Sequence, residues 1–186
     1  VIDEKFIFEG ELYATTNASL LFENMDEVDL FIEPRRMTIS MERGRPYAYD
    51  MRGVSVWPQL KECREFLGDM PRLIYEKSRD VQTLNEEWMK AYEMKSESAD
   101  SLMQEFYSVV RDYKTLAAKE LDLKLEFIVS HPENAISPYL LYGVADAQHA
   151  DVSTIHSAYE SLSEQNKNSL LGQMAKRKID IISVDT

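Results

Sequence analysis

The chain has 186 residues and a formal net charge of −12, from 33 acidic against 21 basic side chains, and a field of that sign argues against a nucleic-acid partner. Hydrophobic residues at 44% and charged residues at 29% exclude wholesale disorder. No run of about 18 apolar residues occurs, which excludes a membrane-spanning helix.

Residues 1–56 read as an antiparallel β part. Lys5-Phe-Ile-Phe-Glu-Gly10 places Phe6 and Phe8 on one face. Ser19-Leu-Leu-Phe22 and Val28-Asp-Leu-Phe-Ile32 are short runs suited to strands. Met37-Thr-Ile-Ser-Met41 alternates with period two, Arg43-Gly44-Arg45-Pro46 makes a turn, and Tyr47-Ala-Tyr-Asp-Met51 alternates again. Gly53 marks a bulge or strand end. Strands joined by such short turns pair antiparallel, as a partial sandwich or half-barrel with an aromatic-rich face around Tyr47 and Tyr49. Val1 lies almost at a strand start, so earlier strands are expected to be missing. With no initiator Met, signal peptide or lipid-attachment cysteine, the chain is expected to be a processed or excised form.

Residues 57–186 read as helical, beginning at Trp57-Pro58. A segment from Gln59 to Phe66 is loosened by Gly68 and Pro71. Ile74, Val81, Leu84, Trp88, Ala91 and Tyr92 then repeat at three- and four-residue steps. Ser96 to Ser101 makes a polar turn, with Ser101 and Gln104 at capping-box spacing. The longest helix carries Leu102, Phe106, Val109, Tyr113, Leu116, Leu123 and Phe127 on one seam, and it packs on the preceding helix as a long antiparallel hairpin. Pro132 stops it at His131, and Ser137-Pro138 reads as the cap and first position of the next helix. Three shorter helices follow: Pro138 to about Gln148, Val152 to about Leu162 and Lys167 to about Lys178. Asp151 or Ser153 caps the second and Asn166 the third. Lys176-Arg177-Lys178 suits a helix C-terminus. The fold class is α+β, an N-terminal sheet followed by a helical bundle built on the hairpin.

Each constellation with chemical potential has a plainer reading beside it. Asp146, His149, His156 and Glu160 flank a turn between two helices, at spacings that put each pair on one helix face. They form the one set with the donors for a zinc-like ion, against a solvated helical hairpin. Cys63 is the only cysteine, so a dithiol mechanism within the chain is excluded. Lys61 and Arg64 beside it are offset by Glu62 and Glu65, and it reads as a helix-face residue. His131 reads as a cap on helix carbonyls. Glu86-Glu87 and Glu97 with Asp100 read as surface charge, and the Met and aromatic positions on the long helices read as core rather than a ligand box. No glycine-rich phosphate loop, G-x-S-x-G elbow or H-E-x-x-H occurs, so no catalytic residue and no cofactor are expected.

The order of segments resembles a known family. The strand Phe6-Ile-Phe-Glu-Gly10, the pair from Leu30-Phe-Ile-Glu-Pro34 to Met41, and Tyr49-Asp-Met-Arg-Gly-Val54 form one part. Phe127-Ile-Val-Ser-His-Pro132, Ser137 to Leu141 and Ser169-Leu-Leu-Gly172 form the other. Together they resemble the domain of unknown function that precedes the thioredoxin-like domain in Gram-negative envelope thiol–disulfide oxidoreductases of the peroxiredoxin/cytochrome-maturation type. The resemblance spans essentially the whole chain. It implies a periplasmic or cell-envelope protein, lipid-anchored through a segment outside this chain, with a redox domain in cis or an envelope protein as partner. The chain stops at Thr186 without a C-x-x-C, so no catalytic residue carries over. The resemblance implies a non-catalytic accessory module that positions or dimerises a redox domain or presents substrate to it. The alternative is a stand-alone envelope binding protein that uses Tyr47 and Tyr49 on the sheet face.

Overall fold

The structure is a computed structural model that describes residues 6–13, 15–22, 27–147 and 151–184. The fold is α+β, with strands first and helices after. The chain divides into two compact units, Val1–Pro58 and Gln59–Thr186.

In the first unit β1 (Thr16–Leu21) pairs antiparallel with β2 (Glu27–Ile32), setting Ala18 opposite Leu30 and Leu20 opposite Val28. Strand β3 (Thr38–Met41) pairs likewise with β4 (Tyr49–Arg52), with Ile39 opposite Met51. Apolar positions alternate inward along β3 and β4 as the period-two pattern predicts, while β1 begins three residues before the expected Ser19 and leaves Leu21 exposed. The described strands make two separate two-stranded ladders, where one partial sandwich or half-barrel was expected. The break falls at Pro34, which has no N–H to continue a ladder, inside a tight turn where Arg35 N–H donates to the Glu33 carbonyl at 2.7 Å. The strand expected around Phe6 to Gly10 does not form. Residues 6–12 carry no ladder, and Phe6, Ile7 and Phe8 are exposed. Alternation supplies a face but not a neighbour for the backbone groups.

A buried carboxylate and a tyrosine tie the two ladders together. Glu33, with its side chain 1% exposed, accepts from the Ser55 N–H and hydroxyl at 2.6 Å each and pairs with Arg35 Nε at 3.0 Å. Tyr49 donates its hydroxyl to the Asp29 carbonyl at 2.9 Å, and its ring lies 5.7 Å from that of Trp57. Gly53 sits just past β4 at φ +79, where a Cβ would stand 2.5 Å from the Arg36 carbonyl oxygen, so only glycine fits.

In the second unit α1 (Trp57–Leu67), which starts just before the unit boundary, buries Leu60, Cys63 and Leu67 at helical spacing. Gly68 at φ +57 ends it, and Pro71 stands in the first turn of α2 (Met70–Glu93). Helix α2 closes in a Schellman motif: Ser96 N–H donates to the Ala91 carbonyl at 2.9 Å and Lys95 N–H to Tyr92 at 3.0 Å. Lys95, at φ 50, holds the left-handed position where glycine is usual. Helix α3 (Ala99–Ser130) then returns along α2, about 48 Å long at ~1.5 Å per residue, to make the expected hairpin. Ser98 precedes it, and Ser101 donates to the Ser98 carbonyl, so the predicted capping box is not made.

The corner after α3 gathers the unit. Phe127 is fully buried, stacked on the His131 ring at 4.2 Å with the Phe66 edge at 5.4 Å. The Asn134 amide donates to the Gln59 carbonyl at 3.3 Å and to Glu62 Oε2 at 2.8 Å, and its oxygen accepts the Ile136 N–H at 2.9 Å. The Asn166 amide donates to the carbonyls of Pro132 at 2.7 Å and Asn134 at 2.9 Å. Helix α4 (Ser137–Val144) begins here. Ser137 is its first residue rather than its cap, and its buried hydroxyl donates to the His131 carbonyl at 2.8 Å. It thereby satisfies the end of α3 instead of the start of α4.

Helix α5 (Val152–Ser161) is capped by Asp151, which accepts from Thr154 N–H. The single third helix expected is instead two. Ser163 caps α6 (Glu164–Asn168), and Ser169 accepts the Gly172 N–H at the start of α7 (Leu170–Val184). Asn166 lies inside α6 because its side chain is committed to the corner. Gly172 is required where α7 leaves α6, since a Cβ would come within 1.9 Å of the Asn166 carbonyl oxygen. Lys176 to Lys178 fall in mid-α7, not at its end. Lys176 pairs with Asp180 and Lys178 with Asp146.

Two outcomes test this account. Asn166→Ala removes two side-chain hydrogen bonds from corner carbonyls that keep the Ser163 and Ser137 N–H groups, and should cost ~1–3 kcal/mol in a denaturant melt, whereas the exposed Asn168→Ala should stay within about 0.5 kcal/mol. At Glu33, burial opposes ionisation, but the Ser55 hydrogen bonds and Arg35 outweigh it and hold the carboxyl below its ordinary value of 4.5. Its stabilisation is therefore fully present above that ordinary value and is lost as pH falls through the lower folded one. Glu33→Gln should lower stability at pH 7 and flatten the acid limb of a melting-temperature profile. An acid limb superimposable on that of the parent would refute the assignment.

Candidate functional site

The α2–α3 hairpin is an arm of mostly half-buried and exposed residues, with the fully buried Phe127 and Ile128 at the corner end of α3. Its seam is built by Ile74, Val81, Leu84 and Trp88 on α2 against Phe106, Val109, Tyr113 and Leu116 on α3. Phe127 and Ile128 of α3 are fully buried and Ala91 of α2 is nearly so; the rest of the seam is half-buried, because two helices alone enclose just one stripe of each. Helices α4 and α5 pack against α3 as well.

Near the tip the seam becomes aromatic and opens to solvent. Trp88 stacks on Phe106 at 5.7 Å, Tyr92 lies 6.3 Å beyond Trp88, and Tyr107 lies 5.6 Å beyond Phe106. Four apolar side chains there stay exposed: Met89 at 43%, Tyr92 at 66%, Met94 at 64% and Tyr107 at 55%. Acidic residues surround them, namely Glu86, Glu87, Glu93, Glu97, Asp100 and Glu105, against Lys90 and Lys95. Both acidic pairs read from the sequence as surface charge, Glu86-Glu87 and Glu97 with Asp100, lie on this exposed tip. Tyr92, placed in the seam by its spacing, lies outside it, one turn beyond Trp88. Met89, Met94 and Tyr107, expected in the core with the other Met and aromatic residues of the long helices, are exposed instead. They are apolar residues clustered at one helix end and out of phase with the seam.

The other residues singled out by sequence have internal roles or stand alone. Tyr47 and Tyr49 are half-buried, and Tyr49 makes the Asp29 and Trp57 contacts described above. Asp146 pairs with Lys178, and Glu160 lies 3.4 Å from Lys167. His156 is exposed on α5, and His149 lies outside the described residues. Among the described residues no group of three or more His, Cys, Asp or Glu side chains is placed to hold a metal ion. His131 caps α3 as expected, its Nδ1 lying 3.1 Å from the Phe127 carbonyl oxygen and 2.9 Å from the Ser130 hydroxyl.

Cys63 faces the interior of the second unit and is 1% exposed. Burial pushes its thiol up to about 11, with Lys124 pulling the other way and Glu120 and Glu62 adding to the rise. The thiolate is the nucleophile, so this thiol is inert near neutral pH. Modification of Cys63 by an aromatic disulfide at pH 8 should be slow in the native protein and become fast only as denaturant unfolds it. Stoichiometric labelling of native protein within seconds would show that the thiol is accessible.

Compared with protein-family models, with curated proteins and with solved structures, the chain matches none.

Proposed function

We propose that the chain is an accessory module that docks a protein partner through the hairpin arm and so positions or dimerises a redox domain. The observation that carries this reading is the exposed apolar tip. Methionine and tyrosine are the side chains of adaptable contact surfaces, the first for its flexible thioether and the second for its large area with a polar end. The acidic surround favours a partner with basic or mixed charge and disfavours an anionic lipid surface. The resemblance to the part preceding an envelope thioredoxin-like domain supports such a domain as the partner, with the redox chemistry residing in it and an envelope location for both. The buried Cys63 thiol is in keeping with that division of labour. No observation favours the sheet face around Tyr47 and Tyr49 over the arm.

Tyr92→Ser combined with Tyr107→Ser should weaken partner binding by about 2–4 kcal/mol while leaving the melting temperature unchanged, because both side chains are exposed. A photo-crosslinker at position 92, used in the native host, should give a discrete product whose second component carries a thioredoxin-like fold or is a copy of this chain. Yields at position 92 no higher than at the exposed position 76 would refute the docking role.

A further inference from the structure

We infer that the arm pairs with a second copy of this chain, α3 against α3 and antiparallel, about a twofold axis at Tyr107. This rests on the docking role of the arm and names one partner for it. Asp100, Tyr107 and Lys114 are all exposed on α3 and recur every seven residues, so they lie in one line along one face of the helix. Met103 and Arg111 flank that line four residues to either side of Tyr107.

A twofold axis maps each position before Tyr107 onto the position equally far after it. Tyr107 then meets Tyr107 of the other copy, and each Asp100 meets a Lys114. Each Met103 lies along the aliphatic stem of an Arg111. Parallel pairing would instead set Asp100 on Asp100 and Lys114 on Lys114, and like charges in contact select against it. The charge order along the line Asp100, Tyr107 and Lys114 is thus complementary to itself in one direction only.

The paired stretch is residues 99–115 of each α3, roughly 17 helical residues and about 25 Å. Contacts of that length fall near the lower bound of stable interfaces, at about 1,200 Å², so the dimer is concentration-dependent.

Sedimentation velocity of the whole chain, from roughly micromolar to millimolar concentration, should resolve a monomer–dimer equilibrium. Lys114→Glu and Asp100→Lys should each weaken it about tenfold or more, and the two together should restore it. Under mild oxidation Tyr107→Cys should form a symmetric disulfide quickly, whereas Asp112→Cys, exposed on another face of α3, should not. A chain that stays monomeric throughout, a double variant that fails to recover, or equal crosslinking at 107 and 112 would overturn the pairing. If the chain is monomeric while a crosslinker at position 92 still captures a thioredoxin-like protein, the second copy is overturned and the docking reading stands. Loss of both results sinks both.

Discussion

The helical unit depends on how the corner between α3 and α4 satisfies its own backbone. A helix that ends under other helices leaves carbonyls without partners, and here those of His131, Pro132 and Asn134 are answered from elsewhere in the chain. Beside the backbone N–H groups of Asn134, Ser163 and Ser137, the Ser137 hydroxyl donates to the first and the Asn166 amide, 34 and 32 residues on, to the other two. Asn134 continues the connection to Gln59 and Glu62 on α1. Four helices are therefore held at one place by side-chain amides and a hydroxyl, each of which would cost stability if left unpaired. Phe127 and Ile128 lie fully buried beside this network, so apolar packing and polar satisfaction coincide.

That concentration of order at one end explains the character of the other. Helices α4 to α7 gather around the corner, and most of the length of α2 and α3 is left to a two-helix seam. A seam of that kind buries one stripe per helix, so apolar residues out of phase with it stay in water. At the tip these are Met89, Tyr92, Met94 and Tyr107. An exposed apolar group of this type is a surface suited to contact, which is the physical basis for proposing a partner for the arm. The β unit follows a similar economy: two short ladders with little shared core are joined by the buried Glu33 carboxylate and the Tyr49 hydroxyl.

Much of this was legible in the sequence because period and punctuation are local. The strands near Val28, Thr38 and Tyr49 and the helices from Gln59 to Ser130 follow from alternation, heptad spacing and the stops at Gly68 and Pro132. Each needs only the residues beside it in the chain. The same holds for the Asp151 cap and for Gly53. The α+β class follows from the order of those segments.

Tertiary structure decided the rest, for reasons that lie outside any local window. Residues 6–12 have the alternation of a strand but no neighbouring ladder. Ser137 and Asn166 look like caps, yet the end of α3 claims the first side chain and carbonyls more than 30 residues back claim the second. Lys95 gives no glycine signal for the left-handed turn that its neighbours impose. Tyr92 differs from Trp88 by one helical turn, and only the position of α3 decides which ring is covered. Hydrophobicity and spacing are properties of the sequence by itself. Which apolar face remains in solvent depends on what the rest of the chain packs against it, and that is where the proposed docking surface lies.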